Sequence, residues 1–174
     1  MNLTQLARKT LEFYFENKSF KPDEQTKKKY NQKKACFVTL EKNNQLRGCI
    51  GCLEAKQELW KEVQENAINA AFKDFRFSQL TKKELNKIKI EVSILSKPKK
   101  LNYENEKDLL KKINNKMGII LKKGFNSATF LPQVWEQISD KIEFLEHLSL
   151  KAGLNKDAWR KSEILFYEVD AEKE

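Results

Sequence analysis

The sequence predicts a mixed α/β or α+β fold, with a mixed, partly antiparallel sheet flanked by helices. Three observations lead there. Apolar residues recur at helical spacing, first in Leu3, Leu6, Ala7, Leu11, Tyr14 and Phe15. Strict alternation marks Lys87 to Leu95, with Ile88, Ile90, Val92 and Ile94 on one side and Lys87, Lys89, Glu91 and Ser93 on the other. Helical and strand segments then interleave without a regular βαβ rhythm or an internal repeat, which disfavours a doubly wound parallel sheet. The 174 residues suit one substantial domain, or one with a small subdomain, and 40% of them are hydrophobic. A chain of that size folds without a metal or disulfide staple.

The first helix should end before Lys21-Pro22, because proline offers no amide hydrogen to a helix interior. Asp23 to Lys34 is polar and reads as an exposed connection, with Lys27, Lys28 and Lys29 on a solvated loop. Ala35 to Leu40 makes a compact strand, Glu41 to Asn44 supplies turn formers, and Leu46 to Leu53 pairs back. Gly48 and Gly51 inside that second strand predict a bulge, a tight bend or a close backbone approach. Between Lys56 and Asp74, Leu59, Val63, Ala67, Ala70 and Ala71 line one helical face, small enough to lie close to a sheet. The alternating strand from Lys87 to Leu95 should have one core face and one wet or lightly covered face. A short helix from Asp108 to Asn114 precedes a hairpin of Met117–Leu121 and Ser127–Leu131 around Lys122-Lys123-Gly124. Pro132 can open the next helix at its first turn. Ile142, Leu145 and Leu148 mark another helix, terminated by Gly153, and Ile164 to Val169 is the last strand.

The formal charge of +9 comes from 34 basic against 25 acidic residues, and only 4 of the basic ones are arginine. Groove reading and bidentate phosphate clamping favour arginine, so weak, salt-sensitive attraction to polyanions is expected, without specific nucleic-acid recognition. Three cysteines form an odd set, which argues against a secreted disulfide scaffold. Glu12 and Glu16 interrupt the first apolar stretch, so it reads as a helix rather than a signal peptide. No apolar run approaches the roughly 20 residues needed to cross a membrane. The expectation is a soluble, cytoplasmic protein without a membrane partner.

Chemistry concentrates in Leu46-Arg47-Gly48-Cys49-Ile50-Gly51-Cys52. Flanking glycines can expose the Cys49 sulfur and free amide hydrogens for an anion or carbonyl, and Arg47 can favour a thiolate or bind a carboxylate or phosphate. The plainer alternative is a buried cysteine acting as a small hydrophobe beside glycines that solve a bend. Cys49 and Cys52 do not suit a thioredoxin-like pair, since residues three apart on a strand point to opposite faces. Zinc needs four ligands, and only Cys36 and His147 remain as further soft candidates, so neither a metal nor any other cofactor is expected. His147, the sole histidine, has no neighbouring triad pattern and reads as a packed or surface residue. Trp60, Trp135 and Trp159 lie in three helical regions, where packing or interfaces explain them better than base stacking. Asp74-Phe75-Arg76-Phe77 offers a second polar cluster, able to cap the preceding helix, to pair internally or to reach the same cleft as Arg47. Lys151, in a small and apolar stretch near a helix end, is the third candidate.

Taken together, these segments resemble the AMMECR-type domain family, whose bacterial members are labelled AmmeMemoRadiSam system protein A. The resemblance runs through Phe37-Val38-Thr39-Leu40, Leu46 to Gly51, Asn69-Ala70-Ala71 with Asp74, Arg76 and Phe77, and Ile90 to Ser96. It continues in Gly118-Ile119-Ile120, Leu131 to Val134, Phe144-Leu145 and Lys151 to Leu154 before Trp159. It implies one domain over residues 1–174 with a larger and a smaller closely packed subdomain, and a cleft lined by the shared motifs. In that cleft Cys49 would be the nucleophile, while Arg47, Gly48, Gly51, Asp74, Arg76 and Lys151 would bind substrate or partner. Phe75 stands where the family often has proline, Cys52 where it commonly has threonine or serine, and Ser149 where it frequently has cysteine. The family grouping implies a modification pathway shared with a Memo-type protein and a radical SAM protein as partners, while Arg47 beside Cys49 points to an acidic small molecule or peptide as ligand. Three functions follow as expectations: a component of a small-molecule or peptide modification pathway, a non-enzymatic adaptor, or a weak nucleic-acid binder.

Overall fold

In the computed structural model, which describes residues 1–174, the chain forms two compact units: Met1–Leu95 with Asp170–Glu174, and Ser96–Val169. The first unit opens with helix α1, Leu3–Phe15, capped by Asn2, whose side chain accepts from the Gln5 amide while Gln5 reaches back. Residues 23–34 depart from the expected exposed connection. Asp23 caps a short helix, α2, Glu24–Lys29, whose last turn carries Lys27, Lys28 and Lys29, while Thr26 and Tyr30 are buried. The lysines complement the helix C-terminus, a use of charge that composition alone did not distinguish from a solvated loop.

Strands β1, Cys36–Lys42, and β2, Gln45–Gly51, form an antiparallel hairpin. Asn43 and Asn44 turn it with φ of 53° and 59°, the left-handed pair that suits a two-residue hairpin loop. Helix α3, Leu59–Phe72, buries Leu59, Val63, Ala67, Ala70 and Ala71, the face read from spacing. A one-turn helix, α4, Lys82–Leu85, precedes β3, Ile88–Leu95, which pairs antiparallel with β1. The chain's last residue returns beside β3, the Glu174 amide donating to the Ile90 carbonyl at 3.1 Å. Helices α1 and α3 cover one sheet face, where Leu6, Leu11, Val38, Leu40, Val63, Ala67, Ile90 and Val92 pack in one core.

The second face of β3 is wet at its start, where Lys89 is exposed, but farther along the expectation of a wet or lightly covered surface fails. Glu91 and Ser93 are 7% and 0% exposed. The Ser93 hydroxyl donates to Glu91 at 3.0 Å and the Lys173 ammonium lies 2.7 Å from the same carboxylate. A period of two separates two faces; it does not say whether the polar one meets water or internal partners.

In the second unit, β5, Met117–Lys123, pairs antiparallel with β6, Asn126–Phe130, and with β7, Glu163–Lys173, whose final residues belong to the first unit. A two-residue strand, β4, Lys99–Lys100, also pairs with β7. Helix α5 spans Glu106–Lys112, and Pro132 opens a 3-10 helix over Pro132–Glu136 rather than an α-helix. Helix α6, Lys141–Lys151, ends where Gly153 takes φ 73°. Trp135 and Trp159 are buried, Trp135 stacking on Phe144 at 3.6 Å. Ile142, assigned to the apolar face, is instead exposed; Phe144, Leu145, Leu148 and Ser149 face the core. Each unit combines helices with antiparallel strands, and no helix is long and apolar enough to cross a membrane.

Candidate functional site

Geometry around Cys49 begins with a bulge. Leu40 pairs with Gly48 and Glu41 with Leu46, so Arg47 is the extra residue on β2. A bulge re-aims its side chain. Arg47 reaches Glu84 through Nε–Oε1 and Nη2–Oε2, both at 3.2 Å, and donates to the Gln79 carbonyl at 3.3 Å. Lys42 joins the same carboxylate at 2.8 Å. The Arg47 hydrogen bond, then that of Lys42, holds the Glu84 carboxyl well below the usual carboxylate range. Arg47 is thereby a strut between the bulge and α4.

Two residues on, Cys49 lies opposite Thr39, at a position where β2's amide and carbonyl turn away from β1. Asp74 and Arg76 take both groups. The Asp74 carboxylate accepts the Cys49 amide at 2.9 Å, and Arg76 Nη2 donates to the Cys49 carbonyl at 3.3 Å. Arg76 also grips Asp74 twice, Nε to Oδ1 at 2.9 Å and Nη2 to Oδ2 at 2.7 Å, while the Arg76 amide donates to Oδ1 at 3.2 Å. Asp74 is buried, and the Arg76 hydrogen bond outweighs desolvation to bring its pKa down to about 2. An Asp-x-Arg clamp therefore satisfies the edge of β2 just beyond the end of α3.

This arrangement changes what Cys49 can do. Its amide serves Asp74, so that N–H is not a donor for an oxyanion. Burial pushes its thiol up from the ordinary value; a hydrogen bond from Thr39 at 3.2 Å and the nearby Arg76 charge act the other way. At neutral pH the sulfur is held as a thiol. Thr39 in turn lies opposite Glu91, so Cys49, Thr39 and Glu91 form a polar row on the sheet face away from α3.

The glycines serve backbone packing. A Cβ on Gly48 would stand 2.2 Å from the Ala70 carbonyl oxygen of α3, and one on Gly51 would meet the Cys36 carbonyl at 2.4 Å. Both sites show the close approach read from the sequence, against the protein's own chain. Lys151 belongs to the second unit, at the end of α6, where it donates to the Thr129 carbonyl at 2.9 Å and stands 4.9 Å from the Phe130 ring.

The structure thus brings Cys49, Asp74 and Arg76 together, sets Arg47 on Glu84, and places Lys151 in the other unit. Sequence reasoning missed Thr39, Glu84, Glu91 and Lys173. Only Glu91 carried a signal, as a carboxylate in an alternating strand. His147 is exposed on α6. No three His, Cys, Asp or Glu side chains are grouped so as to hold a metal ion.

What stays open at the clamp is one edge of a guanidinium. Arg76 spends Nε and Nη2 on Asp74 and Cys49, its side chain is 46% exposed, and its Nη1 makes no hydrogen bond within the protein. The Phe77 ring lies 5.4 Å from the guanidinium carbon, and Phe75 is 95% exposed. Such a group can receive one further acceptor in a fixed orientation.

The AMMECR1 family model matches residues 4–173. A Nanoarchaeum equitans protein is 42% identical over 173 residues, covering 97% of this chain and 96% of its own length. A Methanopyrus kandleri protein is 40% identical over 175 residues, covering 98% of this chain and 84% of its own. A crystal structure of an uncharacterised Pyrococcus horikoshii protein is similar with a TM-score of 0.90 and 31% identity, covering 99% of this chain and 89% of that one.

Proposed function

The chain belongs to the AMMECR1 family, and we propose that it is the binding component of a small-molecule or peptide modification pathway, holding an anionic group at Arg76 beside Cys49. The observation that carries this reading is the clamped, half-exposed guanidinium with an unused Nη1 edge. Asp74 neutralises most of its charge, so recognition rests on oriented hydrogen bonds more than on long-range attraction. The raised pKa of the partly buried thiol and its occupied amide favour binding over attack by Cys49.

Titration calorimetry with small dicarboxylates, phosphate monoesters and acidic peptides tests the binding. At least one class should bind, weakening about tenfold or more in Arg76→Ala, the equivalent of about 1.4 kcal/mol. Circular dichroism would confirm that the variant stays folded. No binding by any class, or equal binding by the folded variant, overturns the reading. Alkylation by iodoacetamide tests the thiol: Cys49 should react slowly at pH 7 and faster as pH rises. Rapid modification at neutral pH would restore covalent catalysis by Cys49.

One observation favours the adaptor form of the same proposal. Phe75 stands 95% exposed next to Arg76, the pairing of aromatic and arginine that anchors protein interfaces. Purified Memo-type and radical SAM proteins are the partners to try by pull-down. Capture that is lost in Phe75→Ala, with folding unchanged, assigns the adaptor role; no capture by either removes it.

A further inference from the structure

Cysteine chemistry in this chain points away from Cys49 and toward a different pair. Phe37 pairs with Gly51, and the Cys52 amide donates to the Cys36 carbonyl at 3.2 Å, so Cys36 and Cys52 face each other across the hairpin. Directly opposed residues of this kind have Cα atoms about 5.5 Å apart. A disulfide spans Cα separations of about 4.4–6.8 Å. Both sulfurs point to α3. Asn66 Nδ2 lies 3.6 Å from the Cys36 sulfur, and the Cys52 sulfur lies 3.4 Å from Glu62 Oε2. Glu62 and Asn66 are one turn apart on α3 and are 4% and 5% exposed. Two thiols, a buried carboxylate and a buried amide thus form a polar cluster beneath an otherwise apolar helix–sheet contact.

We propose that Cys36 and Cys52 are a reversible dithiol–disulfide couple, oxidised by a peroxide and reset by a small thiol, with Glu62 as the proton acceptor for Cys52. Cys52 is the partly exposed member and meets the oxidant first; Cys36 is fully buried and resolves. Glu62 takes the Cys52 proton, the sulfur attacks one peroxide oxygen, and the O–O bond breaks. Cys52 becomes a sulfenic acid and, with that proton returned to the leaving hydroxide, one water departs. Cys36 then attacks the Cys52 sulfur, the S–O bond breaks, and its proton leaves with the hydroxyl as a second water. Two thiols have lost two electrons and two hydrogens to one peroxide. Two equivalents of a small thiol reverse the change by exchange. Burial raises both thiols, Cys36 to about 12 and Cys52, where the neighbouring Glu62 carboxylate adds to the rise, to about 11, so oxidation is slow at neutral pH and accelerates as pH rises. The pair closes the open end of the β1–β2 hairpin, three residues beyond Cys49.

The experiment uses the full chain with Cys49→Ser, which leaves Cys36 and Cys52 as the only thiols. Hydrogen peroxide treatment followed by peptide mass spectrometry should find one Cys36–Cys52 link with loss of two hydrogens, reversed by dithiothreitol. The same link should dominate in the wild-type chain. Glu62→Gln should slow its formation several-fold at pH 7 and leave the linked product the same. Over-oxidised Cys52 with Cys36 still a free thiol, or a Cys49–Cys52 link dominating in the wild-type chain, overturns the proposal. So does formation at an unchanged or faster rate in Glu62→Gln, for the proton-acceptor role, since loss of the carboxylate charge alone lowers the Cys52 thiol.

Discussion

Asp74 is the residue on which the local structure turns. Its two oxygens hold the Cys49 amide and three groups of Arg76, and no other carboxylate shares that work. Replacing it with asparagine removes the charge-assisted contacts and leaves a guanidinium and an edge amide poorly matched. Asp74→Asn should lose about 1–3 kcal/mol at pH 7, measured by denaturant unfolding. The half-exposed guanidinium keeps that figure toward the lower end, because water screens it. The pH dependence has a definite sign. Asp74 titrates lower folded than unfolded, so its stabilisation is present above about pH 4 and fades as pH falls toward about 2. The gap between wild type and Asp74→Asn should therefore close over that window. A gap constant from pH 7 to 2 would show that the carboxylate charge contributes nothing.

Among the elements, the contact of α3 with β2 has the least slack. Gly48 faces the Ala70 carbonyl, a backbone atom that cannot swing aside, and α3 meets the hairpin through Ala67, Ala70 and Ala71. Gly48→Ala should cost about 2–3 kcal/mol, because the added carbon forces helix and strand apart. It should also speed alkylation of Cys49, since the clamp is anchored at the end of the displaced helix. Unchanged stability in Gly48→Ala would mean that α3 shifts freely. Gly124, at φ 59° with no atom near its missing Cβ, is a useful control, because alanine there meets only backbone strain of about 1 kcal/mol. The hairpin itself owes its register to Asn43 and Asn44, and its bulge at Arg47 is what sends that side chain to Glu84 instead of toward Cys49.

Across the whole molecule, charge is the property that any polyanion meets first. The net +9 is carried almost entirely by lysine, and Arg8, Arg47, Arg76 and Arg160 each face a carboxylate of the chain. Binding to duplex DNA or RNA should be weak, indifferent to sequence and steeply dependent on salt, vanishing by about 0.5 M. Fluorescence anisotropy across a salt series checks this. Tight, sequence-selective binding at about 0.5 M salt would establish a nucleic-acid function instead.

Period and punctuation were enough for most elements: the alternation of Ile88 to Leu95, the small-residue face of α3, Pro132 and Gly153 all acted locally, through backbone geometry that neighbouring residues impose. The ordered motifs were also enough for the family. The helix at residues 24–29 escaped because a polar stretch gives no apolar period, although its Asp23 cap was there to be read. The site was legible as residues and not as an arrangement. Arg47 and Cys49 are two apart in sequence, yet a bulge sends one to Glu84 while the clamp from Asp74 and Arg76 holds the other. Burial of Glu91, the raised thiol of Cys49 and the facing of Cys36 with Cys52 depend on groups 10 to 82 positions apart meeting in space. Hydrogen bonds and desolvation act over a few ångströms of space whatever the distance along the chain, so only the folded arrangement decided which polar residues became partners.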